Sequence, residues 1–200
     1  QQYYDANGVP FRSKLIADFT NSAKLGALMP RMYNFVMTTP FTSNIIKRLT
    51  GFAVNRSMPT LHTTTLEKWF NRRKIKHLDE KEDTANNSPS GDGGSRIVYL
   101  FCDEFTNYND TLIGQKAILL LEKLGYEVII PNHIESGRAW LSKGLIREGK
   151  KIANKNIALL KDIITEATPL IGVEPSAILT FRDESIALAS DENFAAAKAL

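Results

Sequence analysis

The 200-residue sequence predicts an α/β fold in which a mostly parallel, layered sheet is formed by residues 96–200. Short, nearly continuous apolar runs alternate there with longer segments of helical periodicity, as in parallel strands covered by helices. The residues before this part read as amphipathic helices separated by proline and glycine. We therefore divide the chain into a helical connector (residues 1–78), a flexible linker (79–95) and an α/β domain (96–200).

The connector contains segments of helical spacing at residues 11–28, 31–37 and 42–51, with a short helical turn at 65–70. Pro30 separates the first two of these segments, because proline cannot continue a helix that precedes it. The connector has too few apolar residues for a core of its own. We expect it to pack against the α/β domain or against a neighbour outside this chain.

The linker at residues 79–95 has Ala85 as its one apolar residue and is rich in Ser, Asn, Gly and Asp. Such a stretch cannot bury enough surface to offset its ordering entropy. The basic run at residues 71–77 lacks interleaved aromatic side chains, so it reads as a solvated segment and no nucleic-acid partner is predicted.

The α/β part begins with predicted strands at residues 96–102 and 126–130, and further strand candidates lie at 169–173 and 177–181. Predicted helices lie between and after them, at residues 110–125, 142–167 and 191–200. This alternation predicts a Rossmann-like layered sheet with helices on both faces.

Composition limits the classes of protein that fit this sequence. Apolar residues make up 43% and charged residues 24%, close to the globular average, which argues against collagen, coiled coil and disorder. No apolar run approaches the roughly 20 residues that span a bilayer. The single cysteine, Cys102, excludes internal disulfides and favours a reducing, cytoplasmic location. Both ends lack ordinary start and stop signals, so we expect a piece of a longer polypeptide.

Polar side chains follow each predicted strand, and ligands of open α/β sheets collect at the carboxyl ends of strands. We therefore predict a sheet-edge site, although each member also has an ordinary structural interpretation as a buried, exposed or helix-capping residue. The candidates are Cys102, Asp103, Glu104, His133, Glu135, Ser136, Arg138, Glu174, Arg182, Asp183 and Glu184.

Catalytic and cofactor motifs do not accompany these residues. The sequence contains no Gly-x-Gly-x-x-Gly fingerprint before a helix and no Gly-x-Ser-x-Gly elbow. Cys102, His133 and Glu135 are of types that bind zinc, but a structural zinc site normally takes four ligands. We therefore predict no catalytic, cofactor-binding or metal-binding residue in this chain.

The stretch from residue 98 to 184 resembles the cysteine-rich (CCG) domain of iron–sulfur and FAD-linked oxidoreductases such as the glycolate oxidase iron–sulfur subunit. Residues 98–102 match the first strand and its cysteine, and 117–128 match the following helix and strand. Residues 135–138 fall where a Cys-Cys-Gly turn belongs, 142–156 match the next helix, and 174–179 match the last motif. Only Cys102 remains of the family's cysteines, since Glu135, Ser136 and Ala177 replace the others.

The resemblance implies the C-terminal region of a fused protein that also contains an FAD-linked oxidase domain and a ferredoxin-like domain. FAD and a [4Fe–4S] cluster are implied there, with glycolate, D-lactate or another 2-hydroxy acid as substrate. One thiolate cannot hold such a cluster. This chain is therefore expected to be a structural or docking domain, inactive by itself. The alternative is a small-anion or nucleotide binding module that uses Arg138 and Arg182 in the sheet-edge loops.

Overall fold

The computed structural model describes residues 1–84 and 96–200. Helices form the first part: α1 (Gln2–Asn7), α2 (Phe11–Ala17), α3 (Phe19–Gly26), α4 (Pro30–Thr38), α5 (Pro40–Thr50) and α6 (Leu66–Thr84). The second part mixes strands and helices: β1 (Arg96–Phe101), α7 (Glu104–Tyr108), α8 (Thr111–Lys123), β2 (Tyr126–Ile129), α9 (Arg138–Ser142), α10 (Ile146–Leu160), β3 (Leu170–Gly172), α11 (Pro175–Arg182), α12 (Glu184–Leu188) and α13 (Asp191–Ala199).

The three strands form one open, parallel sheet in the order β2-β1-β3. Val98 of β1 pairs with Val128 of β2, and Leu100 pairs with Ile171 of β3. Parallel pairing with intervening helices confirms the predicted α/β class.

Apolar side chains cover both faces of the sheet, because successive residues of β1 point to opposite sides. One face buries Val98 and Leu100 against Leu66 of α6 and Ile118 of α8. The other face buries Phe101 against a second group of side chains, namely Leu160, Ile164, Ala177 and Phe181.

The connector packs directly on the α/β part, which is one of the two packing partners expected for it. Leu66 is fully buried in the core under β1. A Cβ atom on Gly114 of α8 would lie only 2.4 Å from Leu66 Cδ2, so α8 and α6 approach closely. Arg73 of α6 also donates a hydrogen bond of 2.8 Å to Glu122 of α8.

The strand predicted for residues 177–181 is wrong, since these residues lie within helix α11. Glu174 caps the start of this helix by accepting a hydrogen bond from the Ser176 amide at 3.1 Å. Pro175 occupies the first turn, where a missing amide hydrogen costs nothing. Arg182 is therefore the last residue of a helix, and Asp183 and Glu184 follow a helix and not a strand.

Two other boundaries differ from the prediction. Helix α6 extends to Thr84, six residues into the predicted linker, because Asp, Glu and Lys in that stretch include good helix formers. Residues 85–95 of that linker lie outside the described residues. The helix predicted at 142–167 is shorter in the structure, where α10 runs from Ile146 to Leu160. Gly144, whose φ of +71° favours glycine, separates α10 from α9. Among the described residues, no helix combines the length and apolar character needed to cross a membrane.

Candidate functional site

Cys102 and His133 meet at the carboxyl end of the sheet. The Cys102 amide donates to His133 Nε2 at 3.2 Å, and His133 Nδ1 lies 2.8 Å from the Ile134 carbonyl oxygen. A carbonyl only accepts, so Nδ1 carries the proton and the imidazole is neutral. Burial raises the pKa of the Cys102 thiol well above its ordinary value, and the charges of Glu67 and Asp103 add to this effect. The thiol is therefore protonated at neutral pH and is a weak nucleophile and ligand.

The two acidic residues after Cys102 are both buried and both have structural partners. Asp103 caps α7, accepting hydrogen bonds from the Phe105 and Thr106 amides at 2.9 Å. Glu104 reaches across to the loop after β2 and accepts from the Ser136 amide at 2.9 Å and the Ser136 hydroxyl at 2.7 Å. Burial raises the pKa of both carboxyls, against the opposing effect of these hydrogen bonds.

Glu135 links the loop after β2 to the connector. Its carboxylate accepts a hydrogen bond from the Thr20 hydroxyl of α3 at 2.9 Å and from the Trp140 indole of α9 at 3.2 Å. Burial raises the pKa of Glu135, while the two hydrogen bonds lower it. Glu135 and Ser136 thus join three parts of the fold.

Arg138 and Glu184 form an ion pair between α9 and α12. The Arg138 amide also donates to the Ser136 hydroxyl at 3.1 Å, which connects this pair to Glu104. Gly137 has a φ of +76°, a backbone conformation that favours glycine at this turn.

Glu174, Arg182 and Asp183 do not join this network. Glu174 is occupied in capping α11, with its carboxylate 2.6 Å from the Ser176 hydroxyl. Arg182 and Asp183 are exposed at the junction of α11 and α12. The site therefore contains eight of the eleven predicted residues: Cys102, Asp103, Glu104, His133, Glu135, Ser136, Arg138 and Glu184.

The candidate zinc trio does not come together. His133 uses Nε2 to accept from the Cys102 amide, and Glu135 faces Thr20 and Trp140. Within residues 1–75 and 96–200, no group of three or more His, Cys, Asp or Glu side chains is arranged to hold a metal ion. The residues present do not fit an iron–sulfur cluster either, since this site offers a single, protonated thiol.

Asn156 of α10 is a site residue that sequence reasoning missed. Its side chain is buried, and it accepts from the Ile134 amide and donates to the Glu135 carbonyl, both at 2.9 Å. This amide fixes the backbone of the loop that carries Glu135 and Ser136. Asn156 lies at helical spacing from the apolar residues Ile152 and Leu160, and a polar residue at such a position was the sequence signal for it.

We expect His133 to make the chain less stable in weak acid. Burial lowers the pKa of His133 below 6.5, although the hydrogen bond to Ile134 and the charges of Glu67 and Asp103 oppose this effect. The unfolded chain therefore takes up a proton near pH 6.5 before the folded chain does. This stabilisation is fully present above pH 6.5 and is lost as the pH falls toward the lowered pKa.

Urea unfolding of the wild type and His133→Gln between pH 5 and 7.5 tests this expectation. The buried carboxyls with raised pKa values have the opposite pH dependence, but they are common to both proteins and cancel in the difference. The stability advantage of the wild type should shrink as the pH falls below 6.5. A difference that stays constant across this range would contradict a neutral, buried imidazole.

Comparison with known proteins adds what geometry alone does not supply. Over 186 residues, or 92% of this chain, 26% of positions are identical to a D-2-hydroxyglutarate dehydrogenase of Escherichia coli (strain K12). The chain is similar to D-2-hydroxyglutarate dehydrogenases. Enzymes of that name from Pantoea ananatis and Haemophilus influenzae are 24% and 22% identical over 92% and 88% of the chain. No family model and no solved structure matches.

The chain spans only 16–18% of the length of these relatives. Their names support the resemblance to oxidoreductases found in the sequence, and the glycolate oxidase and iron–sulfur parts of that resemblance stay predictions.

Proposed function

We propose that this chain is a domain of a larger D-2-hydroxyglutarate dehydrogenase, in which it has a structural or docking role and holds no redox group. The similarity to the D-2-hydroxyglutarate dehydrogenases along about nine-tenths of the chain supports the enzyme class. In this proposal, FAD and a [4Fe–4S] cluster are held by the FAD-linked oxidase and ferredoxin-like domains of the same chain or complex.

The hydrogen bonding of the sheet edge is the observation that carries the structural role. Glu104 is bound to Ser136, and Glu135 to Thr20 and Trp140. The imidazole of His133 has both nitrogens engaged. Buried polar groups that satisfy one another in this way hold loops together and offer few free atoms to a substrate.

The anion-binding alternative receives no comparable support. The guanidinium of Arg138 is paired with the carboxylate of Glu184, so its charge is already compensated. Arg182 is exposed at the end of α11 and takes no part in the hydrogen bonds described around Arg138.

The enzyme class is tested on the intact polypeptide that contains this chain. We expect the purified protein to oxidise D-2-hydroxyglutarate with an artificial electron acceptor, and to prefer it to L-2-hydroxyglutarate, glycolate and D-lactate. Preference for glycolate or D-lactate would move the protein to another 2-hydroxy acid, and activity on none of the four would refute the class.

The absence of a redox role is tested by Cys102→Ala in the same intact protein. Because the thiol is buried and protonated, we expect unchanged iron and flavin content per polypeptide and turnover within about twofold of the wild type. The matched control is Ala177→Ser, a buried small residue at another of the replaced cysteine positions. Loss of iron in Cys102→Ala alone would show that this thiol is a cluster ligand.

A further inference from the structure

The helix α5 has the reverse of the usual arrangement of polar and apolar faces. Its buried residues are Ser43 and Lys47, and the Lys47 ammonium donates to the Val54 carbonyl at 3.2 Å. Its apolar residues Phe41, Ile45 and Leu49 follow the spacing of one helix face and are exposed, with Phe41 and Leu49 at 76% and 78%. A surface helix of a self-contained domain buries the apolar face instead.

Neighbouring segments extend this apolar surface. Every residue of α4 stays at least partly exposed, and Met32 and Phe35 are largely so. Met29 and Met32 line an open groove of about 410 Å³ beside Thr63. Large exposed apolar surfaces of this kind mark interaction sites in proteins. We call Met29, Met32, Phe35, Phe41, Ile45 and Leu49 the outer apolar face.

The segment that carries the outer apolar face has charges of a single sign. Between Phe19 and Leu66 the sequence contains five Lys or Arg residues and neither Asp nor Glu. Lys47 is buried, and the other four are exposed. A surface of apolar side chains beside positive charges is complementary to an apolar surface with acidic groups at its rim.

We propose that the outer apolar face binds the remainder of the same polypeptide, at a surface of apolar side chains with Asp or Glu at its rim. This inference rests on the proposed function, because the relatives are about five times as long as this chain. The connector is then an interdomain element: α6 packs on the α/β domain, and α4 and α5 pack on the rest of the enzyme.

Two other occupants fit the structure less well. A two-fold contact between copies of this chain brings the same patch of each copy together and so opposes positive charges. A membrane-surface helix keeps its basic residues on the side that faces headgroups and water. In α5 one of the two basic residues, Lys47, is instead buried against the chain.

Cysteine labelling of the intact, flavin-loaded polypeptide tests the proposal. Phe41→Cys and Leu49→Cys place thiols on the outer apolar face, and Leu112→Cys places a control thiol on α8, where Leu112 is 58% exposed. Each is treated with a maleimide, and modification of that residue is followed by peptide mass spectrometry. We expect both test thiols to react at least about tenfold more slowly than the control, since a covered thiol reacts only through local opening.

Equal rates at the test and control positions would overturn the proposal. If protection disappears when the protein is diluted until it is monomeric, the proposal is overturned in favour of a second copy. Protection seen only with vesicles containing anionic phospholipid would overturn it in favour of a membrane. Oxidation of D-2-hydroxyglutarate, measured separately on the unlabelled protein, shows whether the proposed function fails while this interface stands.

Discussion

Replacing Glu104 by alanine is expected to lower the free energy of unfolding by about 3 kcal/mol, because two hydrogen bonds in the interior lose their acceptor. The Ser136 amide and hydroxyl would both remain buried without the carboxylate that lies 2.9 and 2.7 Å away. The loop after β2 would lose its attachment to the start of α7. Urea unfolding of the 200-residue chain measures this change.

Glu104→Gln is the matched variant for this experiment. A glutamine carbonyl still accepts from the Ser136 amide. The neutral side chain also avoids the cost of burying a charge, which is the cost that raises the pKa of Glu104. We expect this variant to lose about 1 kcal/mol or less. If the intact polypeptide is a dehydrogenase as proposed, this variant should also keep its turnover. A stable Glu104→Gln protein without turnover would contradict a structural role, and a Glu104→Ala protein as stable as the wild type would contradict the hydrogen bonding.

Much of the fold follows from local sequence patterns. The strands β1 and β2 were predictable because a buried parallel strand is a short apolar run between polar residues. Each ends only one residue before its predicted limit. The prediction of a strand at residues 177–181 was wrong because their apolar and β-branched composition favours a strand. The helix signals lay outside that run, in Glu174 and Pro175.

The candidate site was predictable in place but not in its pairings. Parallel strands bring their carboxyl ends to one edge, so the convergence of Cys102, Glu104 and His133 follows from topology. The pairing of Glu104 with Ser136 spans 32 residues, and that of Arg138 with Glu184 spans 46. Such contacts depend on how helices pack, and a single sequence carries no signal for them.

Leu66→Ala is expected to lower the free energy of unfolding by about 3–4 kcal/mol, since a buried leucine leaves a cavity that its neighbours fill only partly. Leu66 is fully buried in the core under β1, although it belongs to the connector. Its neighbours include Leu100 and Ile118. The matched control is Leu25→Ala, at a 72% exposed position of α3, where we expect a change of at most about 0.5 kcal/mol.

The same variant tests whether the connector and the α/β part unfold together. The chain contains two tryptophans, Trp69 in α6 and Trp140 in α9, so each part has its own fluorescent probe. Trp140→Phe leaves the connector probe, and Trp69→Phe leaves the other. Because Leu66 lies in a core shared by both parts, the loss in Leu66→Ala should shift both probes to the same lower urea midpoint. If only Trp69 responds, the connector unfolds independently, and its contact with the sheet contributes nothing to the stability of the α/β part.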